Sequence, residues 1–90
     1  MENNKIVIYD IPLFSYLELT IKDDCFEFYS EIRMNDDGDT SEVNYFLTKE
    51  ETAKLLSVIS LDDFIEMVRK ERLKGMFEFF KKNGIKSKAY

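Results

Sequence analysis

Residues 25–34, with the sequence CFEFYSEIRM, alternate between apolar and polar side chains in the manner of a β-strand that has one buried face. Successive side chains of a strand point to opposite faces, so each face is read from every second residue. One face carries Phe26, Phe28, Ile32 and Met34. The other face carries Cys25, Glu27, Tyr29, Glu31 and Arg33. The segment therefore predicts a long strand of an antiparallel sheet, with one face on the core and the other in water.

The segments on both sides of this strand predict the rest of an antiparallel meander. Upstream, residues 13–22 alternate in the same way, and the short β-branched run Ile6–Tyr9 ends before Pro12, which lacks the N–H that a strand ladder needs. Downstream, Glu42–Leu47 predicts a strand that pairs back on the first one. The turns are expected at residues 23–24 (Asp-Asp) and 35–39 (Asn-Asp-Asp-Gly-Asp). Together these segments predict a sheet of three to four strands.

The second half of the chain changes to helical periodicity. Thr48, followed three residues later by Glu51, predicts a capping box in which each side chain bonds to the other's free backbone N–H. Ser60 precedes two aspartates that the helix dipole favours, and it predicts the start of a second helix. The expected apolar stripes are Leu55, Leu56 and Ile59 in the first helix, and Leu61, Phe64, Ile65, Val68, Leu73, Met76, Phe77 and Phe80 in the second.

The second helix has one ambiguous position and one clear end. Gly75 either kinks or divides it, because an interior glycine costs a helix about 1 kcal/mol relative to alanine. Gly84 stands where a left-handed residue ends a helix, and Ile85 is placed to contact Phe80 across a Schellman motif. Residues 86–90 form either a tail or a last edge strand. We therefore expect one α+β domain over residues 1–90, with an N-terminal antiparallel β-meander of three to four strands covered on one face by two to three C-terminal helices.

Charge is distributed unevenly along the chain. The net charge is −5, but residues 1–68 hold 16 acidic and 5 basic side chains, whereas residues 69–90 hold 8 basic and 2 acidic ones. Opposed fields of this kind steer association with a charged partner. The alternative is that acidic strands lie beside a basic helix within one solvated surface, since lysines at a helix C-terminus also have a structural explanation.

Several chemistries are disfavoured by the residues that are present. The chain has no histidine, the commonest base for activating serine or cysteine, and Cys25 follows Asp23 and Asp24, whose charge suppresses a thiolate. Residues 36–39 (Asp-Asp-Gly-Asp) are rich in carboxylates, but aligning Gly38 with the glycine of an EF-hand loop puts an arginine at the first ligand position. We expect no enzymatic activity, no cofactor and no metal site.

The most informative surface is the sheet face opposite the expected core. It carries tyrosines among carboxylates, and an acidic hairpin and strand start lie at one end of it. Tyrosine is enriched in protein interfaces, and acidic neighbours attract a basic partner. The predicted partner-binding residues are Tyr16, Glu18, Glu27, Tyr29, Glu31, Asp36, Asp37, Asp39 and Glu42. The alternative is an ordinary solvated sheet face with cross-strand pairs.

Two segments give the chain a resemblance to a known class of protein. Residues 46–52 (FLTKEET), which lead from the meander into paired helices, and residues 79–85 (FFKKNGI) look like parts of the small bacterial immunity proteins of polymorphic toxin systems. The resemblance spans about half of the chain and carries no individual functional residue across. It implies an acidic inhibitor that covers the active site of a basic toxin or nuclease domain.

Two other functions remain open. One is a phage or mobile-element inhibitor that mimics phosphates with its carboxylates and so blocks a nucleic-acid-handling enzyme. The other is a small nucleic-acid-binding regulator that uses Arg69, Lys70, Arg72 and Lys74, although the acidic remainder would repel a polyanion. A cytoplasmic location is expected, because no run of about 18 apolar residues is present and the first residues do not form a signal peptide.

Overall fold

The computed structural model describes residues 4–12, 15–33 and 40–89. The elements, in chain order, are β1 (Asn4–Ile11), β2 (Ser15–Lys22), β3 (Cys25–Arg33), β4 (Thr40–Leu47), α1 (Lys49–Val58), α2 (Leu61–Lys82) and β5 (Lys88–Ala89). All strand pairs are antiparallel, and the order of strands in the sheet is the order in the chain. The α+β meander is therefore confirmed. A fifth strand of two residues, β5, pairs with β4 at the edge of the sheet. The sequence had allowed either a tail or an edge strand at this position.

The turn between β2 and β3 fixes the register of the central hairpin. Lys22 pairs directly with Cys25, so the loop contains only Asp23 and Asp24, with φ angles of 52° and 63°. Positive φ at both central residues is the geometry of the two-residue turn that matches the twist of a β-hairpin, and aspartate tolerates it better than most residues. The turn expected at these positions is confirmed.

The core lies between one face of the sheet and the two helices. The sheet contributes Leu17, Leu19, Phe26, Phe28 and Leu47, and the helices contribute Leu55, Phe64, Ile65, Val68, Met76 and Phe80. The ring centroid of Phe64 lies 6.1–6.4 Å from those of Phe26, Phe28 and Phe80, so one helix residue joins the sheet to the far end of α2. Each such side chain stabilises the fold by about 1.5–3 kcal/mol through burial. Leu56 was expected in the core stripe of α1, but it is 44% exposed, because the sheet lies under the side of the helix that carries Thr52 and Leu55.

Helix α1 is attached to the sheet by one buried hydroxyl. The Oγ1 atom of Thr52 accepts a hydrogen bond from the N–H of Phe26 (3.2 Å) and donates one to the carbonyl of Leu47 (3.4 Å). The start of α1 follows the predicted capping box only in part. Thr48 Oγ1 accepts from the N–H of Glu51 at 3.3 Å, whereas the Glu51 carboxylate turns to Lys54, 3.0 Å from its ammonium group.

Helix α2 is kinked, and the residue responsible is Arg72. Its φ of 65° and ψ of −162° lie in a region that is populated almost only by glycine. Gly75, the position that the sequence marked, does not break the helix itself. A Cβ atom at position 75 would overlap the Cβ of Glu71, so the kink requires a glycine three residues further on.

The end of α2 has the predicted geometry. Gly84 has a φ of 68°, the N–H of Ile85 donates to the carbonyl of Phe80 (2.9 Å), and the N–H of Gly84 donates to the carbonyl of Lys81 (3.4 Å). These are the two hydrogen bonds of a Schellman motif. Ile85 is buried beside Phe80 in the core, so this motif turns the chain back towards the sheet, where β5 pairs with β4.

Candidate protein-binding face

Both helices pack on one face of the sheet, and the opposite face, called the outer face below, carries the polar side chains of β2 and β3. The strand register arranges the outer face in rows that cross the sheet. The first row is Asp10, Tyr16, Glu31 and Glu42; the second is Val7, Glu18, Tyr29 and Asn44; the third is Lys5, Thr20, Glu27, Phe46 and Lys88. Neighbours within a row have Cβ atoms about 5 Å apart, which is close enough for direct interaction.

The register brings together six of the nine predicted binding residues. Tyr16, Glu18, Glu27, Tyr29, Glu31 and Glu42 share the outer face. The other three, Asp36, Asp37 and Asp39, lie outside the described residues. They belong to the segment that connects β3 to β4, next to the first row in sequence.

Sequence reasoning missed Asp10, which the structure aligns with Tyr16. Simple alternation along β1 would put Asp10 on the same face as Ile8 and Ile6. The register shifts between Val7 and Tyr9, because a β-bulge inserts one extra residue into β1. The shift moves the Asp10 position to the outer face, and no local pattern in the sequence reports it.

The two tyrosines form the centre of the outer face. The rings of Tyr16 and Tyr29 meet edge to face, with centroids 6.1 Å apart and planes inclined by 63°. The hydroxyl of Tyr16 donates to Glu18 Oε1 at 2.7 Å, and Lys5 Nζ lies 3.6 Å from Glu18 Oε2. These contacts hold an aromatic pair in one geometry before any partner binds, so little side-chain entropy is lost on binding.

Carboxylates and desolvation together raise the pKa values of both phenols. The hydrogen bond to Glu18, followed by partial desolvation and nearby negative charge, raises the pKa of Tyr16 to about 12. Desolvation, followed by the charges of Glu31 and Glu42, raises the pKa of Tyr29 to about 12. Both phenols are therefore neutral hydrogen-bond donors and acceptors throughout the physiological pH range.

The acidic side chains are concentrated at one end of the outer face. The first row contains three carboxylates, and Glu31 and Glu42 stand directly opposite each other on neighbouring strands. Like charges in this arrangement repel each other, and the Tyr29 side chain on the same face forms hydrogen bonds with both carboxylates. The name "acidic end" is used below for Asp10, Tyr16, Glu18, Tyr29, Glu31 and Glu42. The lysines of the outer face, Lys5, Lys22 and Lys88, lie towards the other end.

Two basic residues of α2, Arg69 and Arg72, make contacts with β1. Arg69 Nε donates to the carbonyl of Ile8 at 2.8 Å, and the guanidinium of Arg72 lies 4.8 Å from the ring centroid of Tyr9. Two of the four cations that suggested a nucleic-acid surface thus attach α2 to β1. These contacts favour a structural role for the two arginines over a role in nucleic-acid binding.

An apolar groove lies near the other end of the sheet, between the β2–β3 turn and α1. It encloses about 320 Å³ and is lined by Ile21, Asp24, Phe26, Lys49, Thr52, Ala53 and Leu56. Lys49 and Asp24 approach to 4.0 Å at its exposed rim. The Thr52 hydroxyl is already bonded within the fold, so the groove lacks the converging polar groups that orient a specific small ligand.

Residues 4–12, 15–33 and 40–89 contain neither a metal-binding cluster nor a helix able to span a membrane. This part of the chain contains no group of three or more histidine, cysteine, aspartate or glutamate side chains arranged to hold a metal ion. Neither of its two helices combines the length and the apolar character needed to cross a membrane. Cys25 is a free, half-buried thiol beside the β2–β3 turn.

No family model matches the chain, and no curated protein or solved structure matches it either.

Proposed function

We propose that this protein is an acidic binding inhibitor, an immunity protein or antitoxin, that neutralises a toxin domain by covering its basic active-site surface with the outer face. The observation that carries the proposal is the acidic end, where two neutral tyrosines in edge-to-face contact are surrounded by four carboxylates on the helix-free face of the sheet. Tyrosines supply apolar contact area together with a polar tip, and the carboxylates supply long-range attraction for a basic partner.

Two features favour this function over a purely structural explanation of the face. First, Glu31 and Glu42 are directly opposite each other, which concentrates negative charge that a basic partner would neutralise. Second, Tyr16 and Glu18 already hold each other through a 2.7 Å hydrogen bond, so the surface is ordered before binding. A solvated face needs neither feature.

The test compares two double variants that change the net charge by the same amount. Glu31→Lys/Glu42→Lys reverses two charges of the acidic end. Glu66→Lys/Glu78→Lys reverses two exposed charges on α2 and serves as the matched control. The binding protein is recovered from the source organism with the wild-type chain as bait, and its association rate is measured with all three proteins over a range of ionic strength.

We expect the acidic-end variant to associate at least about tenfold more slowly than the control at low salt, because the placement of charge, and not its sum, steers the encounter. The wild-type rate should fall as salt rises and screens the field, with a Debye length of about 10 Å at 0.1 M. Association that is independent of salt, or equal in the two variants, would exclude the acidic end as the interface. If the partner arrests growth when expressed, wild type and control should relieve the arrest and the acidic-end variant should not.

A further inference from the structure

The two edges of the sheet differ in whether their backbone groups are available to pair with another strand. The β1 edge is interrupted by the bulge between Val7 and Tyr9, and one of its carbonyls, that of Ile8, accepts a hydrogen bond from Arg69. Bulges and side-chain caps of this kind block the addition of another strand. At the opposite edge, β5 pairs with β4 only at Tyr45 and Phe46, whereas β4 begins at Thr40. Within the described residues, Thr40–Val43 therefore has no strand beside it, and this stretch is called the open edge below.

The register identifies which backbone groups of the open edge are available. In a two-residue hairpin, the two residues that flank the loop exchange backbone hydrogen bonds, and here these residues are Lys22 and Cys25. The N–H and C=O groups of Cys25 therefore point to β2. Because the direction alternates along a strand, those of every second residue after Cys25 also point to β2. Those of Phe26, Phe28 and Ser30 point to β4, in agreement with the hydrogen bond from the Phe26 N–H to Thr52 beside Leu47.

The same alternation continues on β4. Leu47, Tyr45 and Val43 pair with the inward-pointing residues of β3, so their peptide groups point to β3. The peptide groups of the residues between them, Phe46, Asn44 and Glu42, point to the outside of the sheet. Phe46 is paired with Lys88 of β5. Glu42 therefore presents its backbone N–H and C=O outward at the open edge, while its side chain belongs to the acidic end.

We infer that the open edge accepts an extended basic segment of the partner as an additional antiparallel β-strand, which pairs with the backbone of Glu42. The inference rests on the proposed function and adds the mode of binding. Main-chain hydrogen bonds to a sheet edge supply affinity, and the alternating side chains of the added strand supply specificity.

Charge and exposure on the two faces define the chemistry of the added strand. On the outer face its side chains would lie beside Glu42 and within reach of Glu31, which favours lysine or arginine. On the other face they would continue the row of Ile32 and Ser41, where Ile32 is 42% exposed, which favours an apolar residue. The expected partner segment alternates basic and apolar residues. A second copy of this chain is the less favourable occupant, because antiparallel pairing of two β4 edges would add a second row of carboxylates.

The experiment uses three synthetic peptides and the ¹⁵N-labelled full chain. The parent peptide is Lys-Val-Lys-Val-Lys-Val. Its lysines would lie on the outer face opposite Glu42, and their N–H groups would point to β4. One derivative carries N-methyl groups on the lysines, which removes these donors and keeps the charge. The matched control carries N-methyl groups on the valines, whose N–H groups would point away from the protein.

We expect the parent peptide and the valine-methylated control to slow hydrogen exchange of the Glu42 amide by at least about tenfold, because the amide becomes hydrogen-bonded in a strand pair. The lysine-methylated peptide should leave this exchange rate unchanged. Chemical-shift changes across the acidic end that are equal for both methylated peptides, without protection of Glu42, would overturn the inference and leave the proposed function standing. Absence of binding by any peptide at about 1 mM, corresponding to a free energy of roughly −4 kcal/mol, would also overturn it.

Two further outcomes keep this test separate from that of the proposed function. Protection of the Glu42 amide in concentrated protein without peptide would assign the open edge to a second copy and overturn the inference. Loss of the charge effect in the Glu31→Lys/Glu42→Lys comparison would refute the proposed function, whatever the peptides do.

Discussion

Replacement of Thr52 by valine should be among the most damaging conservative substitutions in the chain. The Thr52 side chain is buried, with 3% of the residue exposed, and its hydroxyl joins three elements. It accepts from the N–H of Phe26 in β3 and donates to the carbonyl of Leu47 in β4. Valine has nearly the same shape, so the substitution removes the hydrogen bonds and leaves the packing in place.

The magnitude follows from the groups that lose their partner. A buried N–H without a hydrogen-bond partner costs about 1–3 kcal/mol, and the longer bond to Leu47 adds less. Burying a methyl group in place of the hydroxyl returns under about 1 kcal/mol. The net loss is about 2 kcal/mol of unfolding free energy, which for a domain of this size corresponds to a melting temperature lower by roughly 8–16 °C.

Urea unfolding, followed by far-ultraviolet circular dichroism, measures this loss. Thr52→Ser is the control, because it keeps the hydroxyl and removes only a buried methyl group, at about 1 kcal/mol. The expected order of stability is wild type, then Thr52→Ser, then Thr52→Val, with an unchanged dependence on urea concentration. A valine variant as stable as the serine variant would refute the role assigned to this hydroxyl.

Three further predictions concern the kink in α2 and the outer face. Gly75→Ala should lower the unfolding free energy by at least about 1 kcal/mol in urea titrations, although alanine normally favours a helix, because its Cβ would overlap that of Glu71. Arg72→Gly should be about 1 kcal/mol more stable than Arg72→Ala, the reverse of the usual order in a helix. Both variants lose the contact with Tyr9, but only glycine relieves the positive φ. Finally, the pKa of Tyr29 is raised from 10.0 to about 12, so the stabilisation that it confers is complete below about pH 10 and is lost as the pH rises through 12. Tyr29→Phe should therefore show a shallower loss of stability over this range in urea titrations at several pH values, and an unchanged slope would contradict the raised pKa.

The parts of the fold that depend on neighbouring residues could be predicted from the sequence. The turn at Asp23 and Asp24, the hydrogen bond from the Glu51 amide to Thr48, and the Schellman motif at Gly84 each involve only a few consecutive residues. The alternation in β2 and β3 likewise predicted which side chains share a face. These features are local because backbone geometry and short-range hydrogen bonds decide them.

The residues of the candidate site could be predicted only in part, because some of them reach the outer face through strand pairing and not through alternation alone. The sequence predicted both tyrosines, Glu18 and Glu31 because they alternate within two regular strands, and it predicted Glu42 from its place just after the acidic hairpin. It missed Asp10, because the bulge in β1 changes the pairing with β2. A bulge is decided by how one strand fits its neighbour, and not by the residues of that strand alone.

The sequence by itself determined the order of the main elements, the turn at residues 23–24, the helix ends and the acidic character of the outer face. The tertiary structure decided which side of α1 is buried, where α2 bends, how the rows of the outer face align, and which edge of the sheet is open. Leu56 is exposed and Arg72 is strained because of packing between segments distant in the chain. Such contacts depend on the simultaneous fit of several elements, and a local pattern of residues does not encode them.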